Sequence, residues 1–179
     1  MKPSRPLVLI VDDNPTNIDL LVNTLKAEYR LGIAKNGPKA LDYAAEHKPD
    51  LVLLDIMMPQ MDGYEVCSRL KANPETAPIP VIFITAMSET VSKTRGFELG
   101  AVDYITKPFH AAEVKARIRT HISLEEMRQQ LESQNTLLAK KVERKTAEIH
   151  EMLDASIRSM AQMVEIRDPY TAGHQQRVA

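Results

Sequence analysis

The sequence contains a single cysteine, Cys67. One thiol excludes an internal disulfide framework and a zinc site built from several cysteines, and it fits a reducing compartment. Long apolar runs are also missing: Leu7 to Val11 is five residues, too short to cross a membrane or to form the core of a signal peptide. Nor does one sign of charge dominate, since 23 Lys and Arg face 24 Asp and Glu for a net charge of -1. No field of one sign therefore argues for a nucleic acid or an acidic membrane surface. Together these absences predict a soluble, cytoplasmic protein with neither nucleic acid nor membrane as partner.

Proline and glycine are absent from one long stretch. Ten of the 11 prolines lie between Pro3 and Pro108, and five of the six glycines between Gly32 and Gly100. The 60 residues from Phe109 to Asp168 contain neither. Turns use these two residues and uninterrupted helices avoid them. The 179 residues, 44% hydrophobic and 26% charged, thus divide into a turn-rich globular part, a long helical segment and a short tail.

In the turn-rich part, short apolar runs alternate with helical spacing. Leu7–Val11, Leu51–Leu54 and Val81–Ile84 read as strands buried on both faces, with shorter strands near Arg30–Ala34 and Ala101–Ile105. Asn14-Pro15 and Asn36-Gly37-Pro38 open helices, and Pro59 and Gly63 mark a loop before another. A further helix runs to about Leu99, and Phe109 begins the last one, with Val114 and Ile118 on its apolar face. Cys67 shares helical spacing with Val66 and Leu70 and reads as a core residue, while His47, His110, His121 and His150 read as surface or helix-face residues. Alternating strands and helices predict an α/β fold with a doubly wound parallel sheet.

Polar residues follow the strands directly: Asp12 and Asp13, Asp55, Thr85 and Lys107. In open parallel sheets the ligand site lies beyond the carboxyl ends of the strands. Three carboxylates brought together there repel one another unless a cation sits among them, and an all-oxygen donor set suits Mg²⁺, with Mn²⁺ as the alternative. Lys107 offers a charge for a phosphoryl oxygen and Thr85 a hydroxyl donor, the parts that phosphorylation of a carboxylate requires.

Val11-Asp12-Asp13-Asn14, Leu54-Asp55-Ile56-Met57-Met58-Pro59, Met61-Asp62-Gly63, Ile84-Thr85-Ala86 and Lys107-Pro108-Phe109 together resemble the receiver domain of two-component response regulators. The resemblance implies a five-stranded flavodoxin-like sheet of order 2-1-3-4-5 spanning residues 5–122. It implies Asp55 as phosphoacceptor, Asp13 as a direct Mg²⁺ ligand, and Asp12 assisting directly or through water. The Met57 backbone carbonyl completes the metal set, Thr85 and Tyr104 form a switch pair, and Lys107 pairs with the phosphoryl group. A cis Lys107-Pro108 peptide and a histidine kinase or phosphotransfer protein as partner are also implied.

Sixty helical residues span on the order of 90 Å, more than one small domain can cover. A heptad pattern runs through Leu124, Leu131, Leu138, Lys145 and Met152 at d and Arg128, Asn135, Val142 and Ile149 at a. Asn135 is the kind of polar a residue that fixes register and favours two parallel strands. Past Ile149 the spacing changes to Leu153, Ile157, Met160 and Val164, a four-residue stutter. Residues 123–166 are therefore expected to form a parallel homodimeric coiled coil that transmits the receiver's signal.

The tail Arg167-Asp168-Pro169-Tyr170-Thr171-Ala172-Gly173-His174 through Ala179 resembles the opening of HD-GYP domains, metal-dependent phosphohydrolases of cyclic di-GMP. By that resemblance residues 167–179 begin an output domain and His174 is its first metal ligand. No His-Asp dipeptide and no Gly-Tyr-Pro occur in the chain, so His174 is an orphan ligand, and the chain reads as the front of a longer protein. The chain itself is then a phosphoacceptor, not a phosphodiesterase. A phosphorylation-independent interaction module is the alternative reading.

Overall fold

The computed structural model describes residues 5–86 and 96–167. The tail with His174 lies outside the described residues, as does the first part of the helix expected before Leu99, of which residues 96–98 are helical.

Five strands form one parallel sheet: β1 (Leu7–Val11), β2 (Arg30–Ala34), β3 (Leu51–Asp55), β4 (Val81–Ala86) and β5 (Asp103–Lys107), in the order β2-β1-β3-β4-β5. The helices are α1 (Pro15–Leu25), α2 (Gly37–His47), α3 (Gly63–Ala72) and α4 (Ala111–Arg167). The doubly wound architecture expected from the sequence is the one observed.

Pleating splits each apolar run between two cores. Leu9, Val11, Val52, Leu54, Val81 and Phe83 face α2 and α3, meeting Ala40, Ala44, Val66 and Leu70. Cys67 joins this cluster fully buried, and burial pushes its thiol up to about 11. Val8, Ile10, Leu51, Leu53, Ile82, Ile84 and Ile105 point the other way, onto Ile18, Leu21 and Leu25 of α1 and Val114, Ile118 and Ile122 of α4. Because both faces are covered, β1 and β3 are buried at every residue, which is why they read as unbroken apolar runs.

Strands β3 and β4 run to Asp55 and Ala86, one and two residues past their expected apolar ends, and two further boundaries differ from the sequence reading. The last strand is Asp103–Lys107 rather than Ala101–Ile105, since the β4 register pairs Ile82 with Asp103 and Ala86 with Lys107. Ala101 and Val102 close the preceding turn, their N–H groups donating to the carbonyls of Gly96 and Val81 at 3.1 and 2.9 Å; Ala101 is buried in the core and Val102 is exposed. The last helix begins at Ala111, two residues after Phe109, its first turn closed by the Val114 N–H donating to the His110 carbonyl at 3.1 Å; the Lys107-Pro108 peptide before it is cis, as the resemblance implies. Phe109 instead packs against the α1/α4 core cluster.

The chain divides into two units, residues 1–127 and 128–179. In the second unit, the described apolar residues of the heptad pattern, Leu131, Leu138, Val142, Ile149 and Met152, are all exposed, as are Leu153, Ile157 and Met160 beyond it. Leu124, in the first unit, is exposed as well. Among the described residues, no helix is long and apolar enough to cross a membrane.

Candidate functional site

Strand register brings the polar residues together. Val11 of β1 pairs with Leu54 of β3, so Asp12 emerges beside Asp55. Asp55 pairs with Ile84, and Thr85 with Thr106, so Thr85 and Lys107 emerge on the same edge. Four strands ending in step therefore gather residues that are far apart in the sequence.

Local chemistry then fixes each group. Asp12 is fully buried, and its Oδ1 accepts the backbone N–H of Asn14 at 2.8 Å. Asn14 caps α1, its side chain accepting the N–H of Thr16 at 2.9 Å, and Pro15 follows in the first turn. On the other strand, the loop after Asp55 folds back so that the Gly63 N–H donates to the Ile56 carbonyl at 2.9 Å. The approach is so close that a Cβ on Gly63 would lie 2.3 Å from the Asp55 carbonyl oxygen. Glycine is the residue this crossing demands.

Carboxylate oxygens of Asp12, Asp13 and Asp55 lie within 4.8 Å of one another, Asp13 being exposed and the other two buried. Lys107 reaches into this cluster, its Nζ donating to Asp55 Oδ1 at 2.8 Å and to Asp12 Oδ2 at 3.2 Å. Burial raises the Asp55 pKa; Lys107 works against that shift, and the charges of Asp12 and Asp13 add to it. For Lys107 burial acts downward, but the bond to Asp55 and the two carboxylate charges outweigh it and hold the ammonium above its ordinary value. The donors are hard oxygens, carry excess negative charge and include one exposed carboxylate open to solvent, so they fit a Mg²⁺-type cation.

Thr85 is buried, and its hydroxyl donates to the Ala86 carbonyl at 3.2 Å rather than to a carboxylate. Thr85 and Tyr104 line one small cavity together with Ile56, Phe83 and Phe97. Tyr104 meets Phe97 edge-on with ring centroids 6.1 Å apart. The Met57 side chain is exposed two residues after Asp55.

Two groups escaped the sequence reading. The Asn17 side-chain amide donates to Asp12 Oδ1 and Oδ2 at 3.1 and 2.9 Å. Its spacing to Asp12, one turn into α1, was the available signal. The second group surrounds Asp103, whose two oxygens accept from Arg117 at 2.8 Å each. His121, expected at the surface or on a helix face, lies on α4 and is largely buried, with Nε2 3.1 Å from Asp103. Arg117 also lies 5.8 Å from the Tyr104 ring centroid. Burial would raise the Asp103 carboxyl, but the Arg117 bond, the Tyr104 N–H and His121 together hold it below its usual range.

Comparison with known proteins matches residues 8–119 to the response regulator receiver domain. A probable cyclic di-GMP phosphodiesterase of Vibrio cholerae is 43% identical over 171 residues, covering 96% of this chain and 39% of that protein. The response regulator PleD of Caulobacter vibrioides is 43% identical over 127 residues, 68% of this chain and 28% of that one. This chain thus spans well under half the length of both relatives. Among solved structures, a putative response regulator from Chloroflexus aurantiacus is 34% identical with a TM-score of 0.65, covering 67% of this chain and 99% of that one. The receiver domain of the Pseudomonas aeruginosa sensor histidine kinase PA1611, solved with magnesium in its active-site cleft, is 27% identical with a TM-score of 0.63, covering 67% and 99%. An in-step strand edge, a partly buried acid cluster bridged by a lysine and a match over residues 8–119 converge: the chain belongs to the response regulator receiver domain family.

Proposed function

We propose that Asp55 is the phosphoacceptor and that residues 5–122 act as a phosphorylation-controlled receiver. The observation that carries this is Lys107 Nζ bridging Asp55 and Asp12 at 2.8 and 3.2 Å inside the acid cluster. A carboxylate oxygen of Asp55 attacks the phosphorus of a phosphohistidine or a small acyl phosphate. The new O–P bond forms as the bond to the leaving group breaks, and the leaving group keeps that electron pair. Burial keeps Asp55 poorly solvated, which makes its oxygen a stronger nucleophile than a surface carboxylate. As its carboxylate charge is consumed, Lys107 transfers its hydrogen bond to a phosphoryl oxygen.

Asp13 and Asp55, with the Met57 carbonyl, would hold Mg²⁺ directly, and Asp12 directly or through water; Mn²⁺ suits the same donors. A bound cation supplies charge neutralisation for the carboxylates and phosphoryl oxygens. Thr85 and Tyr104 share a cavity, so a Thr85 hydroxyl that turns toward the phosphoryl group vacates space for the Tyr104 ring.

Residues 123–166 would carry the signal as a parallel homodimeric coiled coil, seamed by Leu124, Leu131, Asn135, Leu138, Val142 and Ile149. The exposure of its apolar members supports this. The regulated activity would be a cyclic di-GMP phosphodiesterase, since the V. cholerae relative matches 96% of the chain, through the helix and beyond the receiver. His174 would then belong to that output domain. A histidine kinase or phosphotransfer protein would supply the phosphoryl group.

Acetyl phosphate with Mg²⁺ is expected to add one phosphate to the wild type by intact mass and none to Asp55→Asn. An equal adduct in the variant would refute Asp55.

A further inference from the structure

We infer that Asn17 is a positioning residue of the phosphorylation site: it holds the Asp12 carboxylate in place when Lys107 lets go of it. This rests on the proposed phosphorylation of Asp55.

A carboxylate offers about four lone-pair directions. Those of Asp12 meet the Asn14 N–H at 2.8 Å and Asn17 Nδ2 at 3.1 Å on Oδ1, and Asn17 Nδ2 at 2.9 Å and Lys107 Nζ at 3.2 Å on Oδ2. Facing two carboxylate oxygens, the Asn17 amide must present its NH₂ group, because its oxygen has nothing to donate. The longest of the four contacts belongs to Lys107, which also holds Asp55 at the shorter distance of 2.8 Å. Transfer of Lys107 to a phosphoryl oxygen therefore strips Asp12 of one donor on Oδ2. Asn14 alone grips a single oxygen and leaves the carboxylate free to rotate about its Cβ–Cγ bond. Asn17 spans both oxygens and fixes that rotation.

The position of Asn17 argues against an ordinary capping role. It is the third residue of α1, where a capping-box side chain accepts the N–H of the cap residue. Here the Asn14 N–H goes to Asp12 instead, and Asn17 turns a donor toward that same carboxylate. Asn17 is also half-buried beside a fully buried acid, where water is a poor substitute for its amide.

The test compares wild type, Asn17→Leu, which keeps the volume and removes the donor, and Asn17→His, whose Nδ1–H occupies the place of Nδ2. Three quantities are read on the full chain: Mg²⁺ affinity by calorimetry, phosphorylation rate with acetyl phosphate at saturating Mg²⁺, and melting temperature in chelator. Asn17→Leu is expected to bind Mg²⁺ about tenfold more weakly and to react about tenfold more slowly even when saturated. Asn17→His, with one N–H where the amide has two, should recover part of both. Wild-type affinity and rate in Asn17→Leu would overturn the inference. So would an Asn17→His protein that melts like wild type yet stays as impaired as the leucine variant. If Asn17→Leu does not fold, Asn17→Ser, too short to reach Asp12, is read by the same criteria. A wild type that takes up no phosphate on Asp55 defeats the functional reading instead, and the Mg²⁺ titration still judges Asn17.

Discussion

Replacing Asp55 by Asn should stabilise the receiver in the absence of divalent cations, although it removes a buried ion pair. Asp12 and Asp13 lie within 4.8 Å of Asp55, so each repels it by at least about 3.5 kcal/mol at an effective dielectric constant near 20. Lys107, at 2.8 Å, returns about 6 kcal/mol on the same scale. The two nearly cancel, and the cost of keeping a carboxylate 3% exposed tips the balance against the charge. Asparagine retains an oxygen for Lys107, so the expected gain is about 1–2 kcal/mol at pH 7.5. The folded pKa of Asp55 lies above its unfolded value. Its penalty is therefore absent below the unfolded pKa, near about 3.9, and grows as pH rises through the folded pKa. The advantage of asparagine should shrink accordingly between pH 7.5 and pH 4.5. Mg²⁺ should shrink it too, since a ligand at 100 times its Kd stabilises the wild type by about 2.7 kcal/mol and binds the variant less well. Urea unfolding followed by tyrosine near-ultraviolet ellipticity reads the receiver, which holds Tyr29, Tyr43, Tyr64 and Tyr104 of the five tyrosines. An Asp55→Asn protein less stable than wild type in chelator at pH 7.5, or a gain indifferent to both pH and Mg²⁺, would refute the reasoning.

Gly63→Ala forces a methyl group to 2.3 Å from the Asp55 carbonyl oxygen, a backbone contact with no flexible end to yield. A loss of about 2–4 kcal/mol in urea is expected, with a displaced Asp55 slowing acetyl phosphate uptake. Leu131→Lys places a charge in the proposed seam of the helical segment, where Leu131 is 59% exposed in the single chain. Light scattering should show the mass of the wild type to be twice that of the variant, and equal masses would remove the coiled coil from the proposal.

The fold was legible because burial on both faces leaves a plain mark. Val8, Leu9 and Ile10 are all fully buried, so β1 needs no alternation to be recognised. Edge strand β5 left a weaker mark: its residues are partly exposed apart from Ile105, and the neighbouring Ala101-Val102 looked more like a strand than Asp103 did. The acid cluster was readable from where Asp12, Asp13, Asp55 and Lys107 sit relative to strand ends, a one-dimensional property. Asn17 and the pairing of Arg117 and His121 with Asp103 were not. Each depends on which face of a helix turns toward a particular carboxylate, and in sequence these side chains resemble any polar residue on a helix.

The isolation of Cys67 also decides how the helix can be observed. Its thiol is buried and held near about 11, so it is almost wholly protonated and shielded from alkylating reagents at neutral pH. A second cysteine placed at exposed Ser133 would be the sole reactive thiol, with no need to delete the native one. Spin labels attached there would report the spacing between two copies of the chain directly: short if the helices run side by side in the same sense, long if they run in opposite senses about a distant midpoint.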